Sequence, residues 1–118
     1  MDTAEQKKQH EARAERVKAA MPDEASLKTV GARFKLLGEV SRLKILAALK
    51  EGELCVEHIC EVTGAAQSAT SHQLRILRDN GFLRSRREGQ SVLYSLADEH
   101  VAEMMEMGFL HAECGGKR

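Results

Sequence analysis

The fold of this chain is constrained most by a series of short amphipathic helical segments that ends in a pair of alternating strands. Glycine, proline and capping residues separate the segments, as expected at helix ends. The predicted helices cover a segment capped by Asp23 or Ser26 and ending at Gly38, a segment from an N-cap at Ser41 to Gly52, residues 55–62, residues 67–80, and a last segment from Asp98 to Gly115-Gly116. Strands are predicted at 82–87 and 90–96 around a turn at Glu88-Gly89, because Val92, Tyr94 and Leu96 alternate as in a half-buried strand.

This order of elements predicts a mainly α fold with a small β-hairpin, the winged helix-turn-helix. The turn falls at residues 62–66, and the helix after it becomes the candidate recognition helix. Residues 1–22 are predicted to be a polar extension, helical or frayed, that Pro22 ends. Residues 23–118 then form one domain with a dimerisation helix at its C-terminal end.

Composition excludes several classes of protein. The longest apolar run, Ile45 to Leu49, is far too short to span a membrane, and the polar N-terminus has no apolar signal segment. Three cysteines are an odd number without a disulfide framework, which predicts reduced thiols and a cytoplasmic location. No glycine-rich phosphate loop and no nucleophile–base pair is present, so the chain is not expected to be an enzyme.

The middle of the chain is basic and carries the side chains expected of a DNA-binding protein. Residues 65–94 contain five arginines against two acidic residues, which fits a polyanionic partner. Polar residues on one broad face of the candidate recognition helix suit contact with base edges, and wing arginines suit phosphate. The candidate DNA-binding residues are Gln67, Ser68, Ser71, His72, Arg75, Arg84, Arg86 and Arg87.

The C-terminal segment carries four metal-ligand side chains on what reads as one helix: Asp98, His100, His111 and Cys114. A rise of about 1.5 Å per residue separates the two histidines by roughly 16 Å, whereas zinc binds imidazole at about 2.0–2.1 Å. One helix cannot close these ligands on one ion, but two antiparallel copies from a homodimer can. The competing interpretation is an ordinary surface helix with Asp98 as its N-cap. Glu113 points away from His111 and is the alternative fourth ligand.

Three phrases of this chain resemble the ArsR/SmtB family of metal-responsive repressors: Ser71-His72-Gln73-Leu74-Arg75, the wing phrase from Gly89 to Leu96, and Glu53-Leu54-Cys55-Val56. The similarity covers about residues 26–114. The set Asp98, His100, His111 with a fourth ligand three residues later is similar to the C-terminal-helix site of zinc- and cobalt-sensing members, in which that ligand is usually His or Glu. The resemblance implies a homodimer that represses a metal-handling operon and releases DNA when Zn(II), or else Co(II) or Cd(II), binds.

The cysteines leave two alternatives open. The cadmium- and lead-sensing members have Cys-Val-Cys where this chain has Cys55-Val56-Glu57, so a thiolate-rich site is broken here. A weaker mixed site would join Cys55 and His58 to His10 of the other chain. The second alternative is a thiol-based redox or persulfide-responsive repressor of the same fold. It needs two cysteines that approach each other, and Cys55 and Cys60 on one short helix do not face each other.

Overall fold

The computed structural model describes residues 3–115, which divide into two compact units, one up to Arg33 and one from Phe34. Within the described range the helices are α1 (Ala4–Ala20), α2 (Glu24–Leu37), α3 (Val40–Ala48), α4 (Val56–Thr63), α5 (Gln67–Asp79) and α6 (Glu99–Gly115). The strands are β1 (Leu54–Cys55), β2 (Leu83–Glu88) and β3 (Ser91–Leu96). None of these helices is long and apolar enough to cross a membrane.

The first unit consists of α1 and the greater part of α2. A capping box begins α1, in which Thr3 Oγ1 accepts a hydrogen bond from Gln6 N–H at 3.2 Å and Gln6 Oε1 accepts one from Thr3 N–H at 2.8 Å. Asp23 caps α2, since its Oδ1 accepts the N–H of Ser26 at 2.7 Å. Of the two predicted caps, Asp23 is therefore the one used. The predicted domain boundary after Pro22 stays a prediction.

The second unit contains the helix-turn-helix and the wing. The strands form an antiparallel sheet in the order β1-β3-β2, with Leu54 opposite Tyr94 and Arg86 opposite Leu93. One hydrophobic core joins all of these elements to the first turn of α6. Its buried members are Ile45, Leu46, Leu49, Ile59, Leu74, Leu77, Phe82, Leu83 and Val101. The winged helix-turn-helix prediction is confirmed by this arrangement.

Three local predictions were wrong. Ser41 does not cap α3, because the carbonyl of Glu39 already accepts the N–H groups of Arg42 and Leu43, both at 3.1 Å, and the helix begins at Val40. The turn of the hairpin is Gly89-Gln90, one residue later than predicted, since Glu88 still pairs with Ser91. Strand β1 was missed altogether, because two residues carry no periodicity and their pairing partner lies almost forty residues away.

Candidate nucleic-acid interface and metal-ligand residues

Helix α5 carries the predicted DNA-reading residues on the part of its surface that the core does not cover. Thr70, Leu74 and Leu77 are buried and attach the helix to the core. Gln67, Ser68, His72 and Arg75 are exposed, and Ser71 is half-buried. The structure therefore brings all five predicted reading residues onto one helix, with four of them exposed.

A left-handed glycine forms the turn before α5. Gly64 has φ 76° and ψ 7°, and its N–H donates to the carbonyl of Cys60 at 2.8 Å to end α4. Helix α5 follows after two residues, with Ala66 at its N-cap, no side-chain cap and no acidic residue in its first turn. The first backbone N–H groups of α5 therefore keep their hydrogen-bonding capacity for a partner, and the helix dipole at this end favours an anionic one.

The wing arginines differ in what they contact. Arg86 is tied to two carboxylates: its Nε donates to Glu53 Oε2 at 2.9 Å, and one terminal nitrogen bonds Glu53 Oε1 and lies 2.8 Å from Glu88 Oε2. The hydrogen bond from Arg86 lowers the pKa of the Glu53 carboxyl below its ordinary value. Arg84 and Arg87 are exposed and form no ion pair within residues 3–115. The phosphate contact predicted for Arg86 stays a prediction: its guanidinium is engaged by Glu53 and Glu88, and 53% of its side chain is exposed.

The first pair of predicted metal ligands lies at the start of α6. Asp98 Oδ1 accepts the N–H of Val101 at 3.1 Å, as an N-cap does. The same oxygen is 3.6 Å from His100 Nδ1, and the two side chains are 50% and 80% exposed. The capping role and a ligand role are compatible, because a carboxylate has a second oxygen and further lone pairs.

The second pair lies near the other end of the same helix. His111 and Cys114 are exposed and three residues apart, so they are neighbours on the surface of α6. Because α6 runs without interruption from Glu99 to Gly115, His100 and His111 are separated by about 16 Å along the axis. Within residues 3–115 of one chain, no three His, Cys, Asp or Glu side chains lie close enough together to hold a metal ion.

An apolar groove runs beside these ligands. It has a volume of about 370 Å³ and lies between α6 on one side and the end of α2 and the start of α3 on the other. Its lining residues are Phe34, Leu37, Gly38, Leu43, Met104, Met105, Gly108, Phe109 and Ala112. Phe34 and Phe109 are 60% and 62% exposed in the single chain, which leaves a contiguous apolar surface for a partner to cover.

The residues of the alternative metal site are only partly brought together. Cys55 Sγ and His58 Nδ1 lie 3.4 Å apart where β1 ends and α4 begins. His10 lies on α1, in the first unit. Cys60 is half-buried on α4, and Cys114 is exposed at the end of α6; all three cysteines have free thiols.

One buried contact of the recognition helix could not be identified from the periodicity alone. The guanidinium of Arg42 on α3 hydrogen-bonds Gln73 on α5 and a backbone carbonyl at the end of α2. The available signal was that Arg42 stands three and four residues before Ile45 and Leu46, on the apolar face of α3. A charge on a buried face needs a hydrogen-bonding partner.

Comparison with known proteins agrees with this architecture. The sequence profile described as "Bacterial regulatory protein, arsR family" matches residues 39–85. The HTH-type transcriptional regulator NmtR of Mycobacterium tuberculosis is 41% identical over 91 residues, which are 77% of this chain and 76% of the relative. A homologue of the cadmium resistance transcriptional regulatory protein CadC from Staphylococcus aureus is 43% identical over 79 residues, 66% of this chain and 65% of the relative.

A solved structure extends the comparison to three dimensions. The homodimeric winged helix-turn-helix DNA-binding domain of a possible ArsR-family transcriptional regulator from Mycobacterium bovis superposes with a TM-score of 0.71 at 34% identity. The match covers 79% of this chain and 88% of that domain. The chain belongs to the ArsR family of bacterial regulatory proteins, and it is a DNA-binding transcriptional regulator rather than an enzyme.

Proposed function

We propose that this protein is a homodimeric, metal-responsive repressor that binds its operator without metal and releases it when Zn(II) or a similar divalent ion binds. The observation that carries the proposal is the arrangement of donors on α6. Two pairs of exposed ligands stand at opposite ends of one continuous helix, about 16 Å apart. Two antiparallel copies of α6 would bring Asp98 and His100 to the partner subunit's His111 and Cys114, and so form two equivalent sites.

The apolar groove beside α6 supports the dimer that this arrangement needs. Phe109, Met107 and Leu110 are 62%, 62% and 52% exposed in the single chain. Burial of such side chains contributes about 25 cal/mol per Å² of apolar surface removed from water. The homodimeric state of the Mycobacterium bovis relative supports the same assembly. A second copy seated here would place α6 of each chain beside the other.

The donor set fits Zn(II). One carboxylate, two imidazoles and one thiolate give the four ligands of a closed tetrahedral site, and a single thiolate also tolerates Cd(II). When bound, the metal would supply bonds that join the two copies of α6. Asp98 would keep its capping bond to Val101 through Oδ1 and offer its other oxygen. The Staphylococcus aureus relative is named as a homologue of a cadmium resistance transcriptional regulatory protein, and this name supports a divalent ion that accepts a thiolate ligand.

For DNA, we propose that α5 enters the major groove and the wing follows the backbone. Gln67, Ser68, Ser71, His72 and Arg75 would contact bases or orient the helix. Arg84 and Arg87 would contact phosphate, and the uncapped N-terminus of α5 would face a further phosphate. A dimer presents two such helices, whose separation must match two half-sites about 34–36 Å apart. Any constraint on the α6 pair that alters this separation therefore weakens operator binding.

The test is an operator titration with and without Zn(II). Duplexes selected from a random pool by the metal-free protein serve as the fluorescent operator. We expect Zn(II) to weaken binding by about 5- to 150-fold, and operator to weaken Zn(II) affinity by the same factor, because coupling between two sites is reciprocal. His111→Ala should abolish the effect, while Glu113→Gln, two residues away on another face, should retain it. Equal operator affinities with and without bound Zn(II) would overturn the sensor mechanism but leave DNA binding intact.

A second location for the metal is favoured by the 3.4 Å approach of Cys55 Sγ to His58 Nδ1. In this alternative, these two donors and His10 of the partner subunit would form a mixed site at the start of α4. Strand β1 pairs Cys55 with Leu93 of the wing, so such a site would act on the wing directly. The two locations differ in which cysteine binds: metal–thiolate absorption would be lost in Cys55→Ser here and in Cys114→Ser in the site on α6.

A further inference from the structure

Arg42 on α3 is a largely buried cation whose contacts all lie within the second unit. Its side chain is only 15% exposed. Its Nε donates to Gln73 Oε1 at 2.7 Å, and its Nη1 donates to the carbonyl of Leu36 at 3.1 Å. The remaining terminal nitrogen lies 3.7 Å from a carboxylate oxygen of Glu39. Arg42 therefore connects α3 to α5 and to the last turn of α2, and it also lies close to Glu39, the residue before α3.

The bond to Gln73 acts on the recognition helix. Gln73 lies between His72, which faces outward, and Leu74, which is buried. The other side chains that hold α5 to the core are Leu74, Leu77 and Thr70, and the Thr70 hydroxyl has no hydrogen-bond partner within residues 3–115. Their packing contacts are therefore non-directional. A charge-assisted hydrogen bond is short and depends on angle. The Arg42–Gln73 bond is therefore the contact best suited to fix the rotation of α5 about its own axis, and with it the positions of the reading residues.

The other end of the connection is the last turn of α2. The carbonyl of Leu36 belongs to the final turn, where carbonyl groups have no partner within the helix, and Arg42 supplies one. The next residue, Leu37, lines the apolar groove whose opposite wall is α6. A chain of direct contacts thus runs from the groove beside α6, through the end of α2 and the Arg42 guanidinium, to Gln73.

We propose that Arg42 is a positioning residue for operator recognition: it holds Gln73 of the recognition helix to the last turn of α2, so that the rotation of α5 depends on how α2 and α6 pack. This inference rests on the proposed DNA-binding function and adds a residue to it that need not touch DNA. Arg42 acts through Gln73, and a lysine cannot replace it, because one ammonium group lacks the planar fork that reaches two acceptors.

The experiment compares Arg42→Met, Arg42→Lys, Gln73→Leu and the double variant Arg42→Met/Gln73→Leu as metal-free dimers. Operator and random duplex of equal length are titrated over a range of salt concentrations. We expect each single variant to lose about tenfold in operator affinity and less than about twofold in affinity for random DNA. The double variant should lose no more than either single variant, because both substitutions remove the same hydrogen bond. The salt slope of operator binding should not change, since every contact with phosphate is retained.

Lys50→Met is the matched control, because it removes one exposed positive charge just after α3 without touching Gln73. It should leave the ratio of operator to random affinity unchanged. Circular dichroism and sedimentation establish that each variant is a folded dimer, and Gln73→Leu carries the test if Arg42→Met does not fold. Wild-type operator affinity in folded Gln73→Leu, additive losses in the double variant, or equal losses on both duplexes with a lower salt slope would each overturn the proposal. Failure of the wild type itself to bind any selected duplex would instead refute the DNA-binding function.

Discussion

A single methyl group added at Gly64 should destabilise the protein, although it meets no other atom. Gly64 has φ 76° in the turn before the recognition helix, and a Cβ built on it lies farther than 4 Å from any neighbour. The left-handed conformation costs an L-residue about 1–2 kcal/mol. Alanine also restricts the unfolded chain, which returns about 0.4–1 kcal/mol. The net expectation for Gly64→Ala is a loss of about 1 kcal/mol in the free energy of unfolding.

The same chemical change at Gly31 should have the opposite sign. Gly31 lies inside α2 with a negative φ, and its Cβ would also meet nothing within 4 Å. Replacing an interior helical glycine by alanine stabilises by about 0.5–1 kcal/mol. In urea, where a small protein has a slope of about 1–3 kcal/mol per M, the unfolding midpoint should fall by about 0.5 M for Gly64→Ala and rise by a similar amount for Gly31→Ala.

The two variants are measured at one chain concentration, because the midpoint of a dimer depends on concentration. A midpoint for Gly64→Ala at or above the wild-type value would refute the left-handed turn. A loss of more than about 3 kcal/mol in the free energy of unfolding would exceed the cost of the left-handed conformation, and would show that the added methyl group meets neighbouring atoms. Operator affinity of the folded Gly64→Ala protein should stay within a few-fold of wild type, because the turn keeps its hydrogen bond to Cys60.

Three further predictions concern the wing and the metal. Arg87→Ala should weaken binding to all duplexes and lower the salt slope of DNA binding by about one unit for each phosphate that is no longer neutralised. Arg86→Ala should leave the salt slope unchanged, because the Arg86 guanidinium is already paired with Glu53. Equal salt slopes for the two variants would contradict these different roles of Arg86 and Arg87. The pKa of Glu53 is lowered in the folded state, so its ion pair stabilises the fold above the ordinary pKa of glutamate, and this stabilisation is lost as the pH falls through the lowered pKa. The difference in urea midpoint between wild type and Glu53→Gln should therefore shrink on acidification. A difference that grows on acidification would refute the direction of the pKa shift. Co(II)-loaded protein should show tetrahedral visible bands and thiolate-to-metal absorption in the near ultraviolet, and Cys114→Ser should lose the near-ultraviolet band; its loss in Cys55→Ser instead would move the metal to the start of α4.

The sequence alone determined the order of the helices from α2 to α6 and of the hairpin, but not β1, because helix periodicity, glycine stops and strand alternation are local properties of consecutive residues. The spacing alone placed Leu74 and Leu77 on one face of α5, opposite Ser68 and His72. The alternation of Val92 and Tyr94 predicted the wing in the same way. The outward orientation of the reading face needed no more than the knowledge that apolar residues pack inward.

The sequence also determined which side chains on α6 are able to bind a metal, and that one copy cannot close the site, because the rise of a helix is fixed. Whether a second copy completes the metal site depends on how the two subunits assemble. That geometry is given neither by the single chain nor by the spacing of Asp98, His100, His111 and Cys114. The assignment of these ligands therefore remains a proposal, which the cobalt spectra and the operator titration address.

Only the tertiary structure decided which arginines of the wing form ion pairs within the fold. Arg84, Arg86 and Arg87 are equivalent in the sequence, yet Arg86 is paired with Glu53, more than thirty residues earlier. In the same way, β1 exists only because β3 passes beside Leu54 and Cys55, and the hydrogen bond of Arg42 with Gln73 exists only because α3 packs against α5. Each of these interactions joins residues that are distant along the chain, and local periodicity holds no information about such pairs, because they form only once the core has brought their elements together.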